Sequence, residues 1–396
     1  MQIYLDYSAT TPPRSEAIAA VQNALTRQWG NPSSLHEWGQ QAATLVEEAR
    51  IYVGELINAP STAIVFTSGG TEANNLALMG VARRYRTPQH LIISSVEHSA
   101  ISEPARLLEE RGWQVTRLPV DREGRVHPKA LQDAIQPNTV LVSVIYGQSE
   151  VGTIQPIQVL GDIARSRGVL FHTDAVQVAG RLLVDVEQLP VDLLSLSSHK
   201  IYGPTGAGAL YVRPEAKLVP LLGGGGQEMG LRSGTQAVPA IAGFGAAARA
   251  AKQEMALETR RLMQLRDRLF AKLAENPYLQ PTGVCGRSLI NNPWHRLPHH
   301  VSFCLTGAGE GITGKTIVRQ LNLAGIGISA GSACHSGKLA PSPILRAMGY
   351  SDRLALGGIR LTLGRDTTEA DIDWTAMVLD RVLDRLLETR TSQLRV

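Results

Sequence analysis

The sequence contains few cysteines, and their spacing excludes the common metal sites. Three occur among the 396 residues, namely Cys285, Cys304 and Cys334. They lie 19 and 30 residues apart, so no pair has the C-x-x-C spacing of zinc or iron–sulfur ligands. So few thiols in so long a chain predict a reducing compartment, and we expect a cytoplasmic protein with no bound metal.

Long apolar runs and blocks of a single charge are also lacking. No apolar run approaches the roughly 18 residues of a membrane span, and the N-terminus lacks the basic and apolar stretches of a signal peptide. The formal net charge is +4, and no run of five basic residues occurs. These features argue against a membrane protein and against a nucleic-acid-binding surface.

Short apolar runs alternate with helical patterns through the first two thirds of the chain. Hydrophobic residues make up 43% of the sequence, and 38 glycines provide for many tight turns. Strand-like runs lie at 64–67, 91–94, 140–145, 169–172 and 193–196. Their alternation with helices predicts an α/β fold, with a mostly parallel sheet that is buried on both faces.

The pattern changes near residue 250, which predicts a second, smaller α+β domain. A long charged helix is expected from about 246 to 275, followed by a loop rich in Pro, Asn and His at 291–300. Further strands and a closing helix follow this loop. The predicted division is an N-terminal segment at 1–15 associated with the small domain, a large domain at 16–254 and a small C-terminal domain at 255–396.

A lysine follows directly after one predicted strand. The strand is succeeded by Ser197, Ser198, His199 and Lys200, and then by a glycine-rich stretch. A lysine that forms a Schiff base needs a fixed amine in surroundings that lower its pKa. The serine and histidine side chains beside it can donate hydrogen bonds to a phosphate. A lone lysine after a strand is usually a surface residue, so this interpretation depends on support from other motifs.

An aspartate ends the preceding strand, in the segment HTDAVQ. Asp174 lies 26 residues before Lys200. Pyridoxal phosphate acts as an electron sink while its pyridine nitrogen stays protonated, and a carboxylate beside that nitrogen keeps the proton there. Without Lys200, a helix N-cap would be the simpler interpretation of Asp174.

A glycine-rich turn with the sequence TSGGTE joins another predicted strand to a helix. Glycines let the backbone approach an anion, and the helix N-terminus offers free N–H groups and the positive end of its dipole. Thr71 adds a hydroxyl beside Gly70. A plain capped turn would contain the same residues, but the three features together, in this order, predict a site for pyridoxal phosphate.

The motifs of nearly the whole chain resemble those of the cysteine desulfurases, which are pyridoxal-phosphate enzymes of fold type I. The resemblance runs from about residue 4 to residue 385. It implies a large domain with a mostly parallel seven-stranded sheet flanked by helices, and a smaller α+β C-terminal domain. The motifs that carry it are, in chain order, YLDYSATTP, GNPSS, SGGTE, VEHSA, HTDAVQ, SSHKIYGPTGAGALYV, GLRSGT and SAGSAC.

The resemblance implies a cofactor role for most of these residues. Lys200 would form the Schiff base and move protons, and Asp174 would pair with the pyridinium nitrogen. His98 would stack on the ring and act in acid–base steps, while Gln177 would hydrogen-bond the phenolic oxygen. The implied phosphate ligands are Gly70, Thr71, Ser197, His199 and, from the neighbouring subunit of a homodimer, Thr235.

The resemblance also implies residues that bind L-cysteine and take its sulfur. Arg360 would hold the substrate carboxylate, a task that suits a planar guanidinium, and Asn31 would be a second substrate-binding residue. Cys334 would attack the substrate sulfur, which releases alanine and leaves a persulfide for an acceptor such as an iron–sulfur scaffold protein. Small residues around Cys334 predict a flexible loop. Cys304, inside an apolar run, is expected to be a packed core thiol.

One motif departs from the family pattern. Family members commonly show Asn-Asn-Glu near the ring oxygen, whereas this chain has Gln148-Ser149-Glu150. Ser149 stands where the resemblance places an asparagine that contacts the cofactor and the substrate. Three outcomes stay open for this shorter side chain: weaker substrate binding, a bridging water, or cover by Gln148.

Two spacing matches suggest unrelated enzymes. GEGITGKT at 309–316 fits a phosphate-binding loop, but fewer than 90 residues follow it, without a strand that ends in a magnesium-binding aspartate. GISAG at 327–331 fits a hydrolase nucleophile elbow. That fold needs a serine, an acid and a histidine in chain order, and His335 is the single later histidine, with no carboxylate before it.

Nearer alternatives share the same cofactor. Cys334 argues against an aminotransferase and against a C–S lyase that makes pyruvate and sulfide, because neither needs a thiol. A catalytically idle sulfur carrier would not need Lys200, Asp174, His98 and Arg360 together. A selenocysteine lyase stays open, because selenocysteine offers the same groups to Arg360 and Lys200.

Overall fold

The computed structural model describes residues 2–331 and 340–393, and Cys334 therefore lies outside the described residues. Thirteen strands and twelve α-helices are present in the described part. The strands are β1 (Ile3–Tyr4), β2 (Ile64–Thr67), β3 (His90–Ser94), β4 (Gln114–Leu118), β5 (Thr139–Ser143), β6 (Leu170–Asp174), β7 (Leu193–Ser197), β8 (Gly208–Val212), β9 (Leu279–Pro281), β10 (His300–Leu305), β11 (Ile326–Gly327), β12 (Ser329–Ala330) and β13 (Gly358–Thr362). The helices are α1 (Ser15–Thr26), α2 (Glu37–Leu56), α3 (Gly70–Ala82), α4 (Ser99–Glu109), α5 (Pro128–Ala134), α6 (Ile157–Ser166), α7 (Val238–Leu273), α8 (Gly286–Asn291), α9 (Gly314–Leu323), α10 (Pro343–Ala347), α11 (Asp352–Leu356) and α12 (Glu369–Gln393).

Seven strands form the central sheet, in the order β2-β8-β7-β6-β5-β3-β4. β8 runs antiparallel to both of its neighbours, and every other pair is parallel. The predicted α/β fold with a mostly parallel seven-stranded sheet is confirmed. Because β2, β3, β5, β6 and β7 run in the same direction, the turns after these strands meet at one edge of the sheet.

Apolar side chains cover both faces of this sheet. Ile92 and Phe171 belong to the hydrophobic core on one face, and Leu91 and Leu141 belong to the core on the other. Successive residues of a strand point to opposite faces, so a strand that is buried twice has apolar residues at every position. This explains the continuous apolar runs of the sequence.

Strand β4 was not predicted from the sequence, because it lies at the edge of the sheet. Gln114 and Arg117 are exposed, Val115 and Thr116 are partly buried, and only Leu118 is buried. A strand with one solvated side lacks the apolar run by which the central strands were recognised.

A second, antiparallel sheet follows later in the chain, in the order β12-β13-β10-β9. β10, β13 and α12 confirm the strands and closing helix predicted after the loop at 291–300. β1 pairs in parallel with β11, so the N-terminal segment lies against this later part of the chain. The proposed boundary at 254/255 falls inside α7 and stays a prediction.

Helix α7 begins earlier than predicted, at Val238 instead of about 246. Its first turns are rich in alanine and glycine and so lack an amphipathic pattern. A Cβ on Gly245 would lie 2.5 Å from the Cα of Ala49, and one on Gly243 would lie 2.7 Å from Val21 Cγ2. The small residues therefore allow close packing of α7 against α1 and α2.

The two spacing matches have ordinary structural roles. Gly314 begins α9, and a Cβ there would lie 2.1 Å from the carbonyl oxygen of Gly358, so this turn is packed against β13. Ser329 lies in β12 and pairs with Arg360 across the antiparallel sheet, without the strand–turn–helix geometry of a nucleophile elbow. Within the described ranges, no helix is long and apolar enough to cross a membrane.

Candidate active site

Three predicted residues meet at the carboxyl edge of the central sheet. Asp174 is the last residue of β6, and Lys200 closes a short 3-10 turn directly after the neighbouring strand β7. His98 is the N-cap of α4, shortly after β3 ends at Ser94. Asp174 and Lys200 each act through their charge on the pKa of His98, which places all three groups in one cluster.

The Lys200 ammonium is held by the N-terminal segment. Its Nζ donates hydrogen bonds to the backbone carbonyls of Ser8 and Ala9, both at 2.7 Å. Burial, followed by the cations Arg360 and Arg181, lowers the pKa of Lys200 to about 8. A substantial fraction of this amine is therefore neutral near physiological pH, which is the form that attacks an aldehyde.

Asp174 is fixed by two donors. It is buried, its Oδ2 accepts from Asn74 Nδ2 at 2.7 Å, and its Oδ1 accepts from the backbone N–H of Val176 at 3.0 Å. The bond to Val176 is the turn-capping contact that the simpler interpretation expected. A carboxylate offers about four lone-pair positions, so Asp174 can accept a further hydrogen bond from a ligand.

His98 is neutral and oriented by its own helix. Its Nδ1 accepts from the backbone N–H of Ala100 at 3.1 Å, so the ring proton lies on Nε2. Burial lowers the pKa of His98, Lys200 lowers it further, and Asp174 partly opposes this change. A flat, uncharged ring suits stacking on an aromatic ligand.

Gln177 presents a buried oxygen that lacks a partner. Its Nε2 donates to the carbonyl of Ser8 at 2.9 Å, whereas its Oε1 has no hydrogen-bond partner among residues 2–331 and 340–393. The residue is 5% exposed. Because buried polar atoms are nearly always bonded, this orphaned oxygen indicates that a donor from a ligand or water belongs here.

The glycine-rich turn and the end of β7 adjoin one another. A Cβ on Gly70, at the start of α3, would lie 2.9 Å from Val176 Cγ2 and 3.4 Å from Ser197 Cβ. Thr71 is exposed in the first turn of the same helix. A glycine at position 70 therefore lets the N-terminus of α3, where an anion is favoured, lie close to Val176 and Ser197.

The surroundings of His199 keep its ring neutral. Its Nδ1 lies 3.1 Å from Thr10 Oγ1, in the same N-terminal segment that holds Lys200. Burial and then the Lys200 cation lower the pKa of His199 to about 4. The ring is therefore neutral at physiological pH and can act as a hydrogen-bond donor through its N–H.

Arg360 reaches the cluster from the second sheet. Its Nη2 lies 2.7 Å from Asp6 Oδ1, and its Nη1 donates to the carbonyl of Ser149 at 3.0 Å. Its Nε is buried and has no partner in the described part of the chain. Two acceptors among the described residues thus fix the guanidinium, and three of its five N–H groups remain for a ligand.

The departure at Gln148-Ser149 has a defined geometry. Gln148 is buried, its Oε1 accepts from the backbone N–H groups of Glu150 and Val151, and its Nε2 donates to the carbonyl of Val96. All of these contacts are with backbone of its own turn and of the β3–α4 turn. Of the three outcomes that stayed open for Ser149, cover by Gln148 is therefore not observed.

Two predicted residues lie apart from the cluster. Thr235 is exposed in the loop between β8 and α7. Asn31 is also exposed, and its Oδ1 accepts from the backbone N–H of Ser33 at 3.0 Å. Their assignments to the phosphate and to the substrate stay predictions.

Asp6 and the backbone around it were not predicted as part of the site. The segment YLDYSATTP supported the resemblance, but nothing in its composition assigns a contact to Lys200 or Arg360. Two buried carboxyls were also missed, and burial raises the pKa of Glu97 to about 8 and that of Glu150 to about 7. Glu97 accepts from the backbone N–H of Ile145 at 2.7 Å and so braces the turn that carries His98.

Replacing Gly208 with alanine is expected to destabilise the protein by about 1–3 kcal/mol, the usual range for overpacking. The added Cβ would lie 2.5 Å from the carbonyl carbon of Gly69 and 2.8 Å from the carbonyl oxygen of Leu196. These are backbone atoms of the glycine-rich turn and of β7. Thermal or urea unfolding measures the change. Gly223→Ala is the matched control, because no atom lies within 4 Å of its added Cβ. Equal stability of the two variants would contradict this account.

Known protein families and proteins resemble this chain over nearly its whole length. Residues 3–374 match the class-V aminotransferase family. The chain is 44% identical over 387 residues to the cysteine desulfurase IscS of Dictyoglomus turgidum, covering 97% of this chain and 95% of that protein. It is 43% identical over 385 residues to the mitochondrial cysteine desulfurase of Saccharomyces cerevisiae, covering 96% of this chain and 75% of that protein.

Solved structures give the same result. A NifS-like protein superposes with a TM-score of 0.87 at 32% identity, covering 98% of this chain and 99% of that chain. A structure described as SspA in complex with cysteine superposes with a TM-score of 0.78 at 32% identity, covering 92% of this chain and 99% of that chain. The chain therefore belongs to the class-V aminotransferase family and, within it, to the cysteine desulfurases.

Proposed function

We propose that this desulfurase binds pyridoxal 5′-phosphate at the carboxyl edge of the central sheet and passes the sulfur of L-cysteine to Cys334. The observation that carries the proposal is Lys200, an amine of lowered pKa that is near enough to Asp174 and Arg360 to be affected by both charges. The amine can bond the cofactor aldehyde, the buried carboxylate can pair with the ring nitrogen, and the guanidinium can bind the substrate carboxylate. One cluster therefore offers a group for each part of a cofactor-bound amino acid.

The residues present fit this cofactor. Gly70 brings the N-terminus of α3 beside Ser197, Asp174 has capacity for a further donor, and the buried Oε1 of Gln177 lacks one among the described residues. Gly70, Thr71, Ser197 and His199 would hold the phosphate. When bound, the cofactor supplies an electron sink that favours loss of the substrate Cα proton and weakens the bond from Cβ to sulfur.

The side chains of this chain would then divide the remaining work. Lys200 anchors the cofactor and carries the proton at Cα, His98 covers the ring, and Arg360 orients the substrate carboxylate. The Cys334 thiolate attacks the substrate sulfur, so an S–S bond forms while the Cβ–S bond breaks. The electron pair of that bond stays on carbon, which takes up a proton to give alanine. The sum is L-cysteine plus enzyme thiol giving L-alanine plus enzyme persulfide.

Replacing Asp174 with asparagine is expected to lower kcat for L-cysteine by about 10²–10³-fold, the size typical of losing one preorganised electrostatic group. The amide retains the shape of the side chain, but it has a single accepting oxygen, so it can keep only one of the hydrogen bonds from Asn74 and Val176 as they stand. It also cannot hold a proton on the ring nitrogen. Asn74→Ala is the graded comparison, because it removes one of the two donors to Asp174. Steady-state alanine release measures both variants, and we expect a loss of about tenfold for Asn74→Ala. An Asp174→Asn enzyme as active as wild type would contradict the assignment.

The setting of the reaction is also part of the proposal. We place the enzyme in the cytoplasm as a homodimer, in which the exposed Thr235 completes the phosphate site of the second copy. The persulfide sulfur would pass to an acceptor such as an iron–sulfur scaffold protein. The scarcity of cysteine supports a reducing compartment, because only three thiols occur in the chain.

Product analysis tests this function. With L-cysteine and a thiol reductant, we expect alanine and sulfide in equal amounts, without pyruvate or ammonia. Pyruvate as the main product would instead establish the C–S lyase. Parallel reactions with L-selenocysteine decide the remaining alternative, and a kcat/KM for selenocysteine that far exceeds that for cysteine would favour the selenocysteine lyase.

A further inference from the structure

The guanidinium of Arg360 already has a carboxylate partner inside the chain. Asp6 Oδ1 lies 2.7 Å from Arg360 Nη2, and the two side chains are 20% and 12% exposed. An ion pair so largely removed from water is screened much less than a surface pair. A substrate carboxylate that binds Arg360 therefore meets the charge of Asp6 at close range.

The backbone holds Asp6 in this position. Asp6 forms a parallel bridge with Thr362, and the next residue but one, Ser8, donates its backbone N–H to Thr362 Oγ1 at 2.9 Å. The Tyr4 hydroxyl donates to the backbone carbonyl of Asp6 at 3.0 Å. These bonds tie the backbone of Asp6 to β13, the strand that carries Arg360, so the two side chains stay neighbours when a ligand enters.

Arg360 nevertheless retains unbonded N–H groups for a second carboxylate. Its Nη1 is bonded to the carbonyl of Ser149, its Nη2 to Asp6, and its buried Nε has no partner among the described residues. A guanidinium has five N–H groups, so three remain after these two bonds, and an entering carboxylate can bind one of them while Asp6 keeps its own bond. The ligand and Asp6 would share one cation.

We infer that Asp6 sets the affinity of the carboxylate subsite, by sharing Arg360 with the substrate and weakening the hold of the site on amino acids. This inference rests on the proposed role of Arg360 in substrate binding. Like charges that share a site disfavour one another, so the Asp6 charge costs each bound carboxylate part of its attraction to Arg360.

The second carboxyl near Arg360 does not replace Asp6 in this role. Glu150 is buried, and burial raises its pKa to about 7, so it carries only part of a negative charge at neutral pH. Asp6 makes the direct ion pair. Weaker binding of all amino acids benefits turnover, because the product alanine keeps the carboxylate of cysteine and must leave before the next substrate binds.

Isothermal titration calorimetry of the cofactor-loaded enzyme with L-alanine tests the inference without turnover. We expect Asp6→Asn to bind L-alanine about five- to tenfold more tightly than wild type, because the amide oxygen can still accept from Arg360 while the charge is gone. Ethylamine, which has no carboxylate, is the matched ligand; it reports any effect that passes through Lys200, whose pKa Asp6 raises, and its affinity is expected to change much less than that of L-alanine. Thermal unfolding of both proteins checks that the variant is folded.

The same titration in an Arg360→Gln background separates the possible failures. If Asp6 acts through Arg360, the Asp6→Asn substitution should no longer tighten L-alanine binding in that background. Unchanged or weaker L-alanine binding by Asp6→Asn alone, or equal tightening of ethylamine, would overturn the role of Asp6. If Arg360→Gln by itself leaves L-alanine binding unchanged, Arg360 is not the carboxylate ligand, and the proposed substrate assignment fails together with the role of Asp6.

Discussion

Replacing Lys200 with alanine is expected to abolish covalent attachment of pyridoxal phosphate and to reduce alanine release by about 10³-fold or more, because one residue both anchors the cofactor and transfers protons. Reduction with borohydride followed by mass spectrometry measures attachment, since a reduced Schiff base survives denaturation. Lys129→Ala, a change at an exposed ion pair with Asp133, is the control and should retain both properties. Covalent cofactor in the Lys200→Ala protein would show that another amine is the anchor.

The lowered pKa of Lys200 adds a pH dependence to this prediction. Attachment needs the neutral amine, so the rate at which the cofactor-free protein takes up pyridoxal phosphate should rise with pH through about 8 and level off above it. Arg360→Gln removes a cation that lowers this pKa, so the midpoint should move to higher pH. A wild-type midpoint near 10.5, the value of an ordinary lysine, would contradict the environment described for Lys200.

Replacing Cys334 with alanine is expected to have a comparable effect on turnover but none on cofactor attachment. Without the thiolate, the substrate sulfur has no acceptor, so alanine release from L-cysteine should fall to background, a loss of about 10³-fold or more. Binding of L-alanine should stay at the wild-type level, because Arg360 and Lys200 are intact. In one preparation, the loss of alanine release then shows that the nucleophile is missing, and normal L-alanine binding shows that the site is folded.

Cys285→Ala is the matched control for this variant. Cys285 is half-buried and belongs to none of the motifs, so its removal should leave alanine release unchanged. Cys304 is a poorer control because it is buried in β10, where burial raises the pKa of its thiol to about 12. That burial also confirms Cys304 as a core thiol. Alanine release by Cys334→Ala at the wild-type rate would move the nucleophile elsewhere.

Much of the fold follows from local sequence patterns. The run at 64–67 has the bounds of β2, and the runs at 91–94 and 193–196 match β3 and β7 to within one residue. These strands are recognisable because both of their faces are buried. Edge strand β4 and the first turns of α7 were missed because a solvated edge and a stripe of small residues each lack that pattern.

In the site, too, residues placed by local patterns could be predicted, whereas contacts between distant parts of the chain could not. Asp174 and Lys200 were predicted because each follows a strand, and parallel strands bring such positions together. The contacts of Asp6 with Arg360 and of Ser8 with Lys200 span 354 and 192 residues. No spacing rule connects residues so far apart, and the polar groups involved include backbone carbonyls, which carry no sequence signal.

The pairing of residue 6 with residue 360 also determines the order in which parts of the site can form during translation. At a translation rate of about 5–20 residues per second, Asp6 leaves the ribosome roughly 20–70 s before Arg360 has been made. In the later part of that interval Lys200 has been made and can bind the carbonyls of Ser8 and Ala9, while Asp6 still lacks its partners in β13. The carboxylate subsite is thus among the last parts of the molecule to assemble, and a ribosome-bound chain should take up the cofactor before it can recognise an amino acid.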